Sequence, residues 1–270
     1  MAAVVREQLT EPCLVLETRP QPAVALLKLN RAEHRNALND ALVGSLHAAL
    51  LRLASDVTCR VIVLAGEGAL FCAGADLITM QRLAAGDIDE SRRDAQALAA
   101  LLLCLHQSPK PTVALVHGAA LGGGVGLAAA CDVVLASREA RFRFPEVRLG
   151  LVPAVISPYV IAAMGARHAR RYFLSAEWLS AQQAQRLGLV SEVVAAGELM
   201  SAGLALAADI AAGGPTALTT CKQLLDEVAA RKPGEELATW TAEKLAHLRV
   251  GVEARTQLDR NAATSRKTPK

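Results

Sequence analysis

From Pro111 to Cys131 the chain reads PTVALVHGAALGGGVGLAAAC, without one Asp, Glu, Lys or Arg. A run this apolar and this long either crosses a membrane or lies inside a protein. Gly122, Gly123 and Gly124 break its middle and Asp132 follows it at once, which argues against a membrane helix. A buried strand over 112–118, then a buried helix that begins in the glycines, accounts for it. Glycine inside a helix costs about 1 kcal/mol relative to alanine. Something at that junction therefore requires bare main chain.

The flanking pattern repeats the strand-then-helix order. Leu38, Leu42, Leu46, Leu50 and Leu53 recur at three- and four-residue intervals, predicting an amphipathic helix over 39–54. RVIVLAG (60–66) and DVVLAS (132–137) read as short buried strands. Residues 90–107 read as a helix with Leu98, Leu102 and Leu105 on one face. This alternation predicts an α/β core with mostly parallel pairing. After about residue 200 no strand candidate remains. Helices are predicted near 198–212, 215–230, 235–248 and 252–260, broken at Gly213-Gly214-Pro215 and Pro233-Gly234. The expected division is an α/β core over 1–197 and a helical region over 198–270.

Composition narrows the function. Hydrophobic residues make up 52% and charged residues 20%, so the chain can pack a large core. Aromatics are only 3%, too few for the stacking surfaces that bind single-stranded nucleic acid. The net charge of +3 is uneven: residues 249–270 carry a net +4, which leaves −1 for the rest. Such a tail either meets phosphates, on a nucleotide-like ligand or RNA, or is simply solvated. Six cysteines (13, 59, 72, 104, 131, 221) form no CxxC pair and have no histidine at ligand spacing. They read as reduced core thiols, with no metal site. The N-terminal MAAVVREQLTEP has no apolar core of a signal peptide, so a cytoplasmic location is expected.

Two loops made of small residues follow predicted strands: FCAGADL (71–77) and HGAALGGGVG (117–126). Ligands of α/β proteins tend to bind at the carboxyl ends of strands. Three uses of such loops are open. A phosphate cradle lacks the Lys-Ser/Thr of a P-loop and an acidic residue placed for a ribose. Close helix–strand packing would need glycine without any ligand. An oxyanion hole would use one amide from each loop to hold a carbonyl oxygen as it becomes an enolate, worth about 3 kcal/mol per donor. No GxSxG elbow is present, which excludes an α/β-hydrolase.

The two loops, with LNRAEHRNALN (29–39), PEVRLGLVP (145–153) and AQRLGLVSEVV (184–194) in the same order, resemble the signatures of the crotonase (enoyl-CoA hydratase/isomerase) superfamily. The likeness covers roughly residues 10–260. It implies the crotonase fold, a spiral of ββα units with a helical C-terminal trimerisation region. It also implies that Ala75 and Gly123 supply the oxyanion amides, and that Glu146 carries the proton. By the same resemblance, Ala73, Asp76, Leu77 and Gly122 line the acyl-CoA site and Arg35 approaches the coenzyme A phosphates. The substrate is then an acyl-CoA thioester, coenzyme A enters as part of it, no separate cofactor is required, and a homotrimer or dimer of trimers is expected.

One departure stands out. Hydratases of the family commonly carry a glutamate three residues beyond the oxyanion glycine, and here that position is Gly126. A single carboxylate suits a Δ3-Δ2 isomerase. Alternatively, Glu146 handles both water and proton, with Ser157 or Tyr159 assisting, or the substrate contributes polarity of its own. GGGVG, PAVISPYV and ARRYFLSAE look most like a bacterial branch associated with methylglutaconyl-CoA and isohexenylglutaconyl-CoA hydration, in leucine and acyclic-terpene breakdown. Such substrates carry a second carboxylate, for which Arg148, Arg167, Arg170 and Arg171 are candidates. The expected activity is hydration of a 2-enoyl-CoA, with the isomerase as the alternative and an RNA-binding homologue as a third.

Overall fold

A computed structural model describes residues 14–265, with side chains as far as Arg260. Cys13, the N-terminal segment before it and the end of the basic tail lie outside that range.

The described chain opens on an antiparallel hairpin, β1 (Val15–Gln21) with β2 (Val24–Leu29), in which Val15 faces Leu29. From β2 the pairing turns parallel through β3 (Val61–Gly66), β4 (Thr112–Val116), β6 (Val133–Ser137) and β9 (Glu192–Val194). The register runs Val24↔Val61, Ile62↔Thr112 and Val113↔Val133. A second, three-stranded sheet joins β5 (Ala119–Leu121), β7 (Arg141–Arg143) and β8 (Leu179–Ser180). The expected α/β core with mostly parallel strands is thus present. β4 is buried along its whole length, as its unbroken apolar run requires.

Six helices belong to this part of the chain: α1 (Asp40–Ser55), α2 (Leu77–Ala85), α3 (Ile88–His106), α4 (Gly123–Ala129), α5 (Ser157–Ser175) and α6 (Ala181–Arg186). Side-chain caps start most of them. The Asn39 side chain accepts from the Leu42 amide, Asp87 from Asp89 and Glu90, and Ser180 forms a capping box with Gln183. The leucine stripe of α1 (Leu42, Leu46, Leu50, Leu53) packs with Leu101, Leu102 and Leu105 of α3 and with Leu27, Leu29, Ile62 and Leu64 of the sheet. Each such burial contributes about 1.5–3 kcal/mol. α5 is interrupted at Gly165, where the backbone leaves the helical region.

The chain divides into two compact units at Ala208/Asp209, inside α7 (Leu199–Ala211). The second contains α8 (Pro215–Ala229), α9 (Glu235–Arg249) and α10 (Val252–Ser265). The Glu253 carboxylate there accepts from the Thr216 and Ala217 amides at the start of α8. Among the described cysteines all are free thiols. Cys59, Cys72 and Cys131 are buried as expected, whereas Cys221 is exposed on α8, whose apolar pattern does not extend to that position. No helix among the described residues is long and apolar enough to cross a membrane.

Candidate active site

The first sheet delivers both loops to one place. After β3 the chain doubles back so tightly that a side chain at Gly66 would overlap the Phe71 carbonyl. After β4 it passes to the second sheet at Gly118, where any Cβ would strike the Ala69 carbonyl. The two returning segments then pair. The Phe71 amide donates to His117 O (3.0 Å), Cys72 N–H to Ala119 O (3.2 Å) and Leu121 N–H to Cys72 O (3.0 Å). On its other edge the 71–77 loop is laced to the 35–38 segment. Ala73 N–H donates to Arg35 O (3.0 Å), Leu38 N–H to Gly74 O (2.7 Å) and Asp76 N–H to Leu38 O (3.0 Å).

This lacing leaves one amide over. The Gly74 N–H faces the Cys72 sulfur, and among the described residues no acceptor takes the N–H of exposed Ala75. In the other loop Gly122 N–H donates to Arg143 O (2.9 Å), while Gly123, the first residue of α4, has no acceptor among the described residues. The loops approach main chain to main chain. At Gly74 (φ +84°) an added Cβ would stand 2.6 Å from Leu121 O and 3.6 Å from Gly123 N. Both unused amides therefore belong to backbone segments in direct contact.

Glu146 closes the group. β7 alternates Arg141 and Arg143 with fully buried Phe142, and Phe144 beyond it stacks edge-on against Phe173 with centroids 4.8 Å apart. That anchor puts Glu146 at the start of a short 3-10 helix (Glu146–Leu149). Its Oε1 lies 2.7 Å from where a Cβ on Gly122 (φ +45°) would be, so glycine makes room for the carboxylate. Its Oε2 is buried with no hydrogen-bond partner among the described residues. Burial pushes the carboxyl above the ordinary glutamate range. Cys72, the thiol within the 71–77 loop, is pushed up to about 12 by burial and so offers no thiolate nucleophile.

The remaining expected residues are placed as follows. Ala73 is half-buried in the loop, and Leu77 is 65% exposed at the start of α2. Arg35 is exposed beside the loop, its carbonyl tied to Ala73. Asp76 is 5% exposed and already engaged: it accepts from the Ile78 (2.9 Å) and Thr79 (3.1 Å) amides and pairs with Arg31 at 2.6 Å. Burial opposes its ionisation, but Arg31 and the two amides outweigh that and hold the carboxyl below its usual range. Ser157 donates to Ala154 O (2.7 Å), and Tyr159 meets His106 edge-on at 5.4 Å. Arg148, Arg167, Arg170 and Arg171 are all exposed; Arg148 donates to Ser175 O and Arg171 pairs with Glu177.

Sequence reading missed the residues that hold the first loop. Asn36 is fully buried, and its Nδ2 donates to the carbonyls of Glu67 (2.8 Å), Leu70 (2.9 Å) and Phe71 (3.2 Å). Its Oδ1 accepts from the Arg31 amide (2.9 Å), and Arg31 in turn reaches Asp76 and Ala37 O. An asparagine between Arg35 and the apolar Ala37-Leu38 was the available signal.

The sequence profile of the family described as enoyl-CoA hydratase/isomerase matches residues 19–250. The chain belongs to that family. It is an enzyme of the enoyl-CoA hydratase/isomerase family with the crotonase fold. A putative enoyl-CoA hydratase/isomerase (crotonase) from Legionella pneumophila superposes with a TM-score of 0.89 at 43% identity, covering 93% of this chain and 96% of its own. The 2,3-dehydroadipyl-CoA hydratase of Escherichia coli is 40% identical over 207 residues, 76% of this chain and 79% of that protein. The mitochondrial Delta(3,5)-Delta(2,4)-dienoyl-CoA isomerase of Mus musculus is 34% identical over 218 residues, 76% of this chain and 66% of that protein. Family members thus include both lyases and isomerases acting on coenzyme A thioesters.

Proposed function

We propose that the enzyme adds water across the double bond of a 2-enoyl-CoA, with Glu146 as its single carboxylate. The observation that carries this reading is the half-buried Glu146 carboxyl, one oxygen without a partner, against Gly122, the residue that precedes the unused amide of Gly123. The Ala75 and Gly123 amides hold the thioester oxygen. Water oxygen bonds to Cβ as Glu146 takes a proton from that water, and the π electrons move onto the thioester oxygen as an enolate. Glu146 returns the proton to Cα, and the enolate collapses to the 3-hydroxyacyl thioester. Electrons and protons balance within substrate and water, and coenzyme A enters as part of the substrate. Arg35, beside the loop and exposed, is assigned to the coenzyme A phosphates, with Ala73, Leu77 and Gly122 along the thioester and Asp76 holding the loop. The dicarboxylic thioester in the name of the Escherichia coli relative supports a substrate of that class, such as 3-methylglutaconyl-CoA.

One observation favours a second reading. At the position of a second carboxylate, residue 126, the atoms nearest to an added Cβ belong to the apolar side chains of Ile156 and Leu102. A lone carboxyl is sufficient to lift a proton from C2 of a 3-enoyl-CoA and return it to C4, which is isomerisation. Incubation with crotonyl-CoA and, separately, with a 3-enoyl-CoA separates the two. Loss of the 2-enoyl absorbance from the first supports hydration. Appearance of that absorbance from the second, with none lost from the first, replaces hydration by isomerisation.

A further inference from the structure

Two departures from the family pattern, Gly126 and the AVISPYVI segment, lie far apart in sequence and meet in space. Gly123 and Gly126 are three residues apart on α4 and share a face of it. A Cβ on Gly123 would stand 2.9 Å from Leu38 Cδ1 and 3.8 Å from Leu98 Cδ2. A Cβ on Gly126 would overlap Ile156 Cγ2 and stand 3.0 Å from Ile156 Cβ and 3.4 Å from Leu102 Cδ1. Leu98 and Leu102 are one turn apart on α3, so this face of α4 looks onto a continuous apolar wall. Ile156 is 3% exposed and fixed at the start of α5, where its carbonyl accepts from the Val160 amide (3.1 Å). Its β-branched side chain has little rotameric freedom with which to move aside.

We propose that Ile156 is a specificity-determining residue. It fills the volume that a carboxylate at position 126 would need and replaces a second acid with an apolar wall. The inference rests on the reading of Glu146 and the two amides given above. With Ile156 in place, proton handling falls to Glu146 alone. Restoring glutamate at 126 without enlarging the space therefore fails, because the obstacle is at the N-cap of α5 and not in α4.

The test uses the full-length enzyme as Gly126→Glu, Ile156→Gly and the double variant. Gly126→Glu alone should lower Tm by about 5 °C or more, as overpacking of a closed site does. The double variant should recover most of that loss relative to Gly126→Glu. It should also gain a second ionisation in the pH profile of kcat/KM, and hydrate crotonyl-CoA at least about tenfold faster than Ile156→Gly. A Gly126→Glu protein that melts with the parent overturns the inference, as does a folded double variant with neither the ionisation nor the gain. If the double variant does not fold, Gly126→Ala decides the steric claim: it should cost Tm in the parent and much less in Ile156→Ala, and equal costs overturn it. Glu146→Gln in the parent is the separate control. Full turnover there removes the assignment of Glu146, whereas the coupling of positions 126 and 156 in Tm stands or falls by itself.

Discussion

A carboxyl withdrawn from water and left one partner short holds its proton to higher pH than in solution, and Glu146 is in that situation. In the proposed hydration it starts turnover by accepting a proton, so only its ionised form begins the reaction. kcat/KM should then fall as pH drops through a value above the ordinary glutamate pKa of about 4.3. Stability runs the other way. The folded state binds this proton more tightly than the unfolded chain, so its contribution is complete below the unfolded pKa and is lost as pH rises through the folded one. Glu146→Gln removes that ionisation. At neutral pH the variant should melt no lower than the parent while turnover drops about 10²–10⁴-fold. Parallel loss of Tm and activity would reassign Glu146 to a structural role. Glu146, Ala75 and Gly123 were nameable as candidates because each sits inside a short string of characteristic residues. Asn36 and Ile156 were not, because their meaning lies in carbonyls and glycines distant in sequence: Glu67, Leu70 and Phe71 for one, Gly126 for the other.

The elements most legible in the sequence are those whose burial follows one period over many residues. The leucines of α1 and α3 and the valine-rich runs of β3, β4 and β6 are such cases, whereas the helices after residue 200 are marked by the breaks at Gly213-Gly214-Pro215 and Pro233-Gly234 and bury little. β5, β7, β8 and β9 have two or three residues each, too few for any period, and their existence depends on partners in other strands. α4 sits between these extremes, since its glycines mark it while saying nothing of what they touch. The contacts divide the glycines sharply. At Gly124 a Cβ would stand 2.6 Å from the Cys72 carbonyl and 2.8 Å from its Cβ, so α4 rests directly on the 71–77 loop. At Gly44, exposed on α1, nothing lies within 4 Å. Gly44→Ala should therefore stabilise the protein by about 0.5–1 kcal/mol in urea unfolding through helix propensity alone. Gly124→Ala should destabilise it by about 1–3 kcal/mol as overpacking and lower kcat by displacing the Ala75 loop. If both alanines behave alike, α4 does not pack on the loop as described.

The second unit is built differently from the first. In the α/β unit the alternate residues on one side of β2, β3, β4 and β6 and one face each of α1 and α3 join in one cluster. In the helical unit Leu237 is the one large apolar side chain buried among the described residues of α8 and α9. Leu225, Leu245, Val250, Val252 and Leu258 are between 55% and 80% exposed there. Short helices gain most of their stability from packing an apolar face, and these faces have little to pack against within the unit. Isolated surface leucines are ordinary, but several of them over three consecutive helices are what a subunit interface would cover. The family resemblance leads to the expectation that this region trimerises, and in a trimer the neighbouring subunits would cover these faces. Light scattering on the eluting protein should then give three or six times the 28.3 kDa of one chain. Leu245→Asp combined with Leu258→Asp should shift that mass toward one chain and lower Tm together, because the faces lose their cover when the subunits part. A parent protein that elutes as a stable single chain would mean that these leucines are tolerated by water, and the helical unit would need another source of stability.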